Sequence, residues 1–360
     1  MKLVMQRLRI MFWLLALSGC SGLGDTIPKP PPGGLHIRGA GATFPSVLYN
    51  QWFAIYQSQH PKTTITYDAV GSGEGAQRFI GKNVNEDKLV DFGASDAAMT
   101  DEQISQVPEG VLMVPATAGS VVLVYNLPEL SEDLRLSREA YADIFLGEIK
   151  NWNDRRIAVT NPGVKLPDLT IAPVVRQDSS GTTFAFTNHL SAINKTWHDR
   201  FGAATIVDWP GSAMRATGNE GVASRVQHSI GAIGYVGNEF ARKLGLKIAT
   251  LENSSGKFVR PDQANSLAAL SGLDLPQNLR VFVPDPTAPD AYPIVTLSWI
   301  LLRNSYRDLE KGNAIRELFQ WCLRDGQGYA DELGYIPLPS DVKSRSMYAL
   351  GTLNSLPRTQ

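Results

Sequence analysis

Cysteine is nearly missing from this chain: 360 residues contain two, Cys20 and Cys322. With Cys20 acylated, as the N-terminal pattern below implies, no disulfide is possible and the chain must be held by its core. A surplus of either charge is missing as well. Lys and Arg total 34 against 35 Asp and Glu, a formal net charge of −1, which gives no electrostatic reason to expect a nucleic-acid partner and supplies no acidic tail. The histidines, at 36, 60, 189, 198 and 228, show no metal-ligand spacing, so neither a metal nor another cofactor is expected. No segment repeats with a period of about 20–50 residues, which excludes a solenoid. "GSGEG" at 71–75 is not G-x-G-x-x-G, and "DSSGT" at 178–182 is not G-x-S-x-G. Dinucleotide binding and a nucleophile elbow are therefore both unsupported.

What is present starts with the N-terminus. Lys2, Arg7 and Arg9 precede the apolar run Ile10 to Leu17, followed by "LSGC". A basic region, a short apolar region and small residues make a secretory signal, too short to span a bilayer. The cysteine directly after those small residues marks a lipobox, with cleavage after residue 19 and lipidation of Cys20. Losing residues 1–19 removes three cations and no acid, leaving the mature chain near −4. Residues 20–34, "CSGLGDTIPKPPPGG", form a linker of small residues and prolines, partly extended. Cys322 sits in an apolar helical pattern and is expected to be a buried structural thiol.

Beyond the linker, 43% hydrophobic content and the length suit two domains with real cores. Short β-branched runs such as "TITYDAV" and Ile171 to Val175 alternate with amphipathic helical stretches, the pattern of an α/β fold. Thr100 and Gln103 form a capping-box signature. Two long apolar stretches, Val111 to Asn126 and Tyr292 to Asn304, read as extended segments running through the body of the protein.

Three places share one design, a turn of glycine and hydroxyl residues leading into a helix: "GAGATFP" (39–45), "GSGEG" (71–75) and "DSSGTTF" (178–184). Each can aim main-chain N–H groups and a hydroxyl at a negative group. Arg176 precedes the third, and its planar fork suits an oxyanion. Ser179 or Ser180 can cap the helix that follows. The carboxylate of Asp96, at the end of "DFGASD", is the odd member. Ionised, it accepts a hydrogen bond from a protonated anion and repels an unprotonated one; the alternative is that it only caps a helix.

The ordered motifs "GAGATFP", "DFGASD", "FLGEIKNWND", "SSGTTFAFT" and "GAIGYV" resemble those of the substrate-binding proteins of Pst-type phosphate ABC transporters, from about Gly39 to Val342. The resemblance implies a periplasmic-binding-protein-like fold of type II, two α/β lobes with mixed sheets flanked by helices, divided as 35–115 with 293–360 and 116–292. It implies inorganic phosphate as ligand, held by Thr43, Phe44, Ser72, Asp96, Arg176, Ser180, Gly181 and Thr182. Asp178 would brace Arg176, cap the next helix, or do both. It further implies an extracytoplasmic receptor, not an enzyme, tethered to the membrane through Cys20 and delivering to the membrane subunits of an ABC permease. The alternatives are a phosphate sensor or surface scaffold without a transport role, a secreted phosphatase, and a receptor for another oxyanion. The chain departs from the family pattern in the long "GKNVNEDK" segment, in Ser179 and in Gln177, none of which removes a ligand-type residue.

Overall fold

The computed structural model describes residues 30–354; the signal segment, Cys20 and linker residues 20–29 lie outside the described residues. The strands are β1 (Leu35–Gly41), β2 (Thr63–Ala69), β3 (Phe92–Ser95), β4 (Val111–Tyr125), β5 (Arg135–Leu136), β6 (Ala172–Arg176), β7 (Met214–Ala216), β8 (Ala232–Gly237), β9 (Lys247–Ile248), β10 (Thr250–Glu252), β11 (Phe258–Val259) and β12 (Val295–Arg303). The main sheet runs β2-β1-β3-β12-β4-β8-β6-β7, with β9 also on β4, while β11, β10 and β5 form a small separate sheet.

The two long apolar stretches are β4 and β12, and β4 joins two half-sheets. Its residues from Val111 to Ser120 pair with β12, and those from Val121 to Tyr125 pair with β8. Each half also has a parallel part, β2-β1-β3 in the first and β8-β6-β7 in the second. Parallel strands need crossovers, and the crossovers put helices on the sheet faces. Helices Ser46–Gln59, Ser72–Ile80, Leu309–Arg324 and Ser340–Gly351 pack on the first half. Helices Gly181–Ile193, Gly218–Gln227 and Asn238–Leu244 pack on the second. The result is a two-lobed α/β fold with mixed sheets.

Each half has its own aromatic core. Tyr49, Phe53, Phe92 and Phe319 pack edge-to-face or tilted in the first; in the second, Phe145 meets Phe186 and Trp209 edge-to-face, and Phe186 stacks on Tyr235. Cys322 is fully buried in the first core. Thr100 and Gln103 make both bonds of the capping box.

One stretch bridges the halves. Arg280 pairs with Asp101 at 2.7 Å, and the Trp299 indole donates to the Leu279 carbonyl at 2.8 Å, both on the first half. Further along, Asp285 takes a two-pronged bond from Arg138 of the second half at 2.8 and 2.7 Å. The expected division counted all of 116–292 with the second lobe. Residues around 275–280 instead pack on the first, because their charged and carbonyl partners lie there.

Candidate functional site

The carboxyl ends of the parallel strands from both halves face one cleft, the usual place for a ligand in open α/β sheets. β1 ends in Gly41 and delivers Thr43 and Phe44 to the start of helix Ser46–Gln59. β2 leads to Gly71 and Ser72 at the start of helix Ser72–Ile80, and β3 leads into Asp96. From the other half, β6 ends in Arg176 and leads to Ser180, Gly181 and Thr182 at the start of helix Gly181–Ile193. The three glycine-hydroxyl turns therefore converge, each presenting a helix N-terminus with its partial positive charge.

The halves touch through these residues. Ser72 Oγ accepts from the N–H of Gly181 at 3.1 Å and of Asp96 at 3.3 Å, and the Gly73 N–H donates to the Ser179 carbonyl at 3.1 Å. Only glycine fits at 181. A Cβ there would lie 2.5 Å from Ser72 Oγ and 2.6 Å from Asp96 Cβ, both across the cleft.

Arg176 is almost wholly buried, its side chain 1% exposed. Nε donates to Asp178 Oδ1 at 2.8 Å and Nη2 to Asp178 Oδ2. Asp178 Oδ1 also accepts from the Gly218 N–H at 3.0 Å, where a φ of +70° favours glycine. Burial by itself would raise the Asp178 carboxyl, but the hydrogen bonds and charge of Arg176 and the Gly218 N–H together hold it below the usual carboxylate range. Asp178 is thus the brace of the arginine. The cap of the following helix is Ser180, whose Oγ accepts from the Thr183 N–H at 3.0 Å. The remaining donor group, Arg176 Nη1, is buried without a partner among the described residues.

Asp96 is 1% exposed. Burial pushes its carboxyl up to about 7, against the opposing pull of a Ser298 hydrogen bond and the Arg176 charge. Ser298 Oγ donates to Asp96 Oδ1 at 2.7 Å. Phe44 is fixed by the Tyr335 hydroxyl, which donates to its carbonyl at 2.7 Å, so the backbone that starts the first helix is held in place.

The sequence-predicted residues Thr43, Phe44, Ser72, Asp96, Arg176, Asp178, Ser180, Gly181 and Thr182 all come to this cleft, while Cys20 lies outside the described residues. Sequence reasoning missed Asn219 and Ser298. Asn219 lies in a fourth turn of the same design, "ATGNEG" at 216–221, which was the available signal. Ser298 lies inside the apolar run of β12 and carried none. Among the described residues no group of His, Cys, Asp and Glu could hold a metal ion.

Fold and cleft define a class. The chain matches the PBP superfamily domain over residues 27–325 and belongs to that superfamily. It is 38% identical to the phosphate-binding protein PstS of Pasteurella multocida over 309 residues, 85% of this chain and 87% of that protein. It is likewise 38% identical to PstS of Haemophilus influenzae over 311 residues, 86% and 90% of the two chains. Within the superfamily, then, the chain belongs to the PstS phosphate-binding protein family, whose members are binding proteins and not enzymes. Among solved structures, that of a high-affinity periplasmic phosphate-binding protein bound with phosphate is similar in fold, with a TM-score of 0.71 and 23% identity over 86% of this chain and 92% of that one.

Proposed function

We propose that the protein is an extracytoplasmic receptor, lipid-anchored at Cys20, that binds inorganic phosphate between two closing lobes and delivers it to the membrane subunits of an ABC permease. The observation that carries this reading is the buried guanidinium of Arg176. Asp178 occupies Nε and Nη2, while Nη1 is left without a partner in a cleft ringed by hydroxyls and helix N-termini. A buried donor of that strength costs free energy unless an anion accepts from it.

Thr43, Phe44, Ser72 and Asp96 hold the ligand from the lobe of 35–115 and 293–360, and Arg176, Ser180, Gly181 and Thr182 hold it from the lobe of 116–292, with 275–280 strapped to the first. Because neither lobe has the full set, the ligand favours the closed state, and a permease can sense that closure. The Asp96 carboxylate is not spent on Arg176 and stands in the ring as an acceptor, so a tetrahedral anion that carries a proton suits the site best. The leader "LSGC" and the proline-rich linker sequence support the anchored placement.

Isothermal titration calorimetry with phosphate, sulfate, molybdate and a phosphomonoester tests the reading. Phosphate binding without turnover of the ester is expected. Absence of a phosphate signal, or hydrolysis of the ester, would overturn it.

A further inference from the structure

Asn219 is fully buried at the start of helix Gly218–Gln227, and its side chain reaches both lobes. Its Oδ1 accepts from the Gly237 N–H at 3.0 Å. A main-chain N–H can only donate, so this bond fixes which way the amide is turned. The Nδ2 group must then face the other way, where it donates to Thr43 Oγ1 at 2.8 Å and to Thr182 Oγ1 at 3.1 Å. The Asn219 main-chain N–H adds a second bond to Thr43 Oγ1 at 3.2 Å.

The consequence lies in hydroxyl direction. A hydroxyl oxygen has two lone pairs and one hydrogen. Both lone pairs of Thr43 Oγ1 are taken by Asn219, so this hydroxyl can only donate. Ser72 reaches the same state through the N–H groups of Gly181 and Asp96. Thr182 has one lone pair committed in the same way. We propose that Asn219 is a positioning residue that makes the Thr43 hydroxyl a dedicated donor to the bound anion and, by taking one lone pair of Thr182, turns that hydroxyl's hydrogen toward the anion as well, with Asp96 as an acceptor in the cleft. This rests on the reading of the cleft as a phosphate site. It adds that the donor pattern is imposed by an amide behind the hydroxyls, which also ties the lobes together only when they are closed.

The test is a mutant cycle in the full-length protein, read by calorimetry with inorganic phosphate. Asn219→Ala should weaken phosphate by about ten- to a hundredfold, the worth of hydrogen bonds to a charged ligand made with disordered instead of fixed donors. In a Thr43→Val/Thr182→Val background the same substitution should cost less than about threefold, because its effect travels through those hydroxyls. A purely structural role would give the same loss in both backgrounds, and that equality would overturn the proposal. Asn219→Asp keeps the acceptor for Gly237 but cannot donate, so the two hydroxyls turn to it and away from the anion. It should bind at least about a hundredfold more weakly than wild type. Should Asn219→Ala not fold, Asn219→Asp decides alone, and a folded Asp variant within about threefold of wild type refutes the idea. Wild type that gives no phosphate signal defeats the site reading itself, a separate outcome.

Discussion

Selectivity of the cleft should depend on pH through one proton. Sulfate has none near neutrality, so it can face Asp96 only when that carboxyl is protonated and donates. Burial holds Asp96 near a pKa of about 7, and a second anion beside it raises that value further. The competent fraction of the protein for sulfate is thus the protonated fraction, and apparent affinity scales with it. Between pH 7.5 and 9 sulfate affinity should fall by about tenfold per pH unit, about thirtyfold over the interval. Phosphate supplies its own hydrogen to ionised Asp96 over that range, and its affinity should change less than about threefold. Asp96→Asn removes the titrating group while keeping a donor and an acceptor, so its sulfate affinity should be flat in pH and exceed that of wild type by at least about tenfold at pH 8.5. Calorimetric titrations of both proteins with both anions across pH 6–9 measure all of this. A pH-independent sulfate affinity in wild type, or an Asn variant that keeps the slope, would refute the role assigned to Asp96.

The same group makes a stability prediction. A carboxyl whose pKa is raised in the folded state contributes stability that is complete below its unfolded value and is lost as pH rises through about 7. Asp96→Asn should therefore be more stable than ligand-free wild type at pH 8, by at most about 4 kcal/mol, and equal to it near pH 4, as read by denaturant unfolding. Arg176→Ala removes the buried cation and should cost about 2–5 kcal/mol of phosphate affinity, or about thirtyfold to several thousandfold; unchanged binding would show that the site is misplaced. Gly181→Ala introduces a Cβ within 2.6 Å of atoms on the opposite lobe. It should block closure and weaken phosphate by about a hundredfold or more. Cys20→Ala should move the protein from the membrane to the soluble fraction, the outcome expected of a chain tethered by acyl groups on that cysteine; a variant that stays with membranes points to a different tether.

Some of this architecture was legible because its causes are local. The capping box of Thr100 and Gln103 spans three residues, and the cap at Ser180, one of two serines the sequence offered, faces an N–H three residues on. Side chains so close in sequence meet in any context that keeps the local backbone. The β-branched run before Arg176 and the long stretches that became β4 and β12 were likewise readable, since burial on both faces leaves a continuous apolar signature. The alternation of strands and helices determined an α/β fold, and the glycine-hydroxyl turns marked where helix N-termini would stand. Tertiary structure alone decided that they meet. Asn219 lies 176 residues from Thr43 and Ser298 lies 202 from Asp96, separations at which no periodicity or capping rule constrains a contact. The strap around residues 275–280 crossed to the other lobe because its partners Asp101 and Trp299 are there, which composition does not reveal. The charge state of Asp96 belongs to the same class: the sequence supplies a carboxyl, but its pKa is set by how completely two lobes shut water out, a property of the closed fold and of no segment within it.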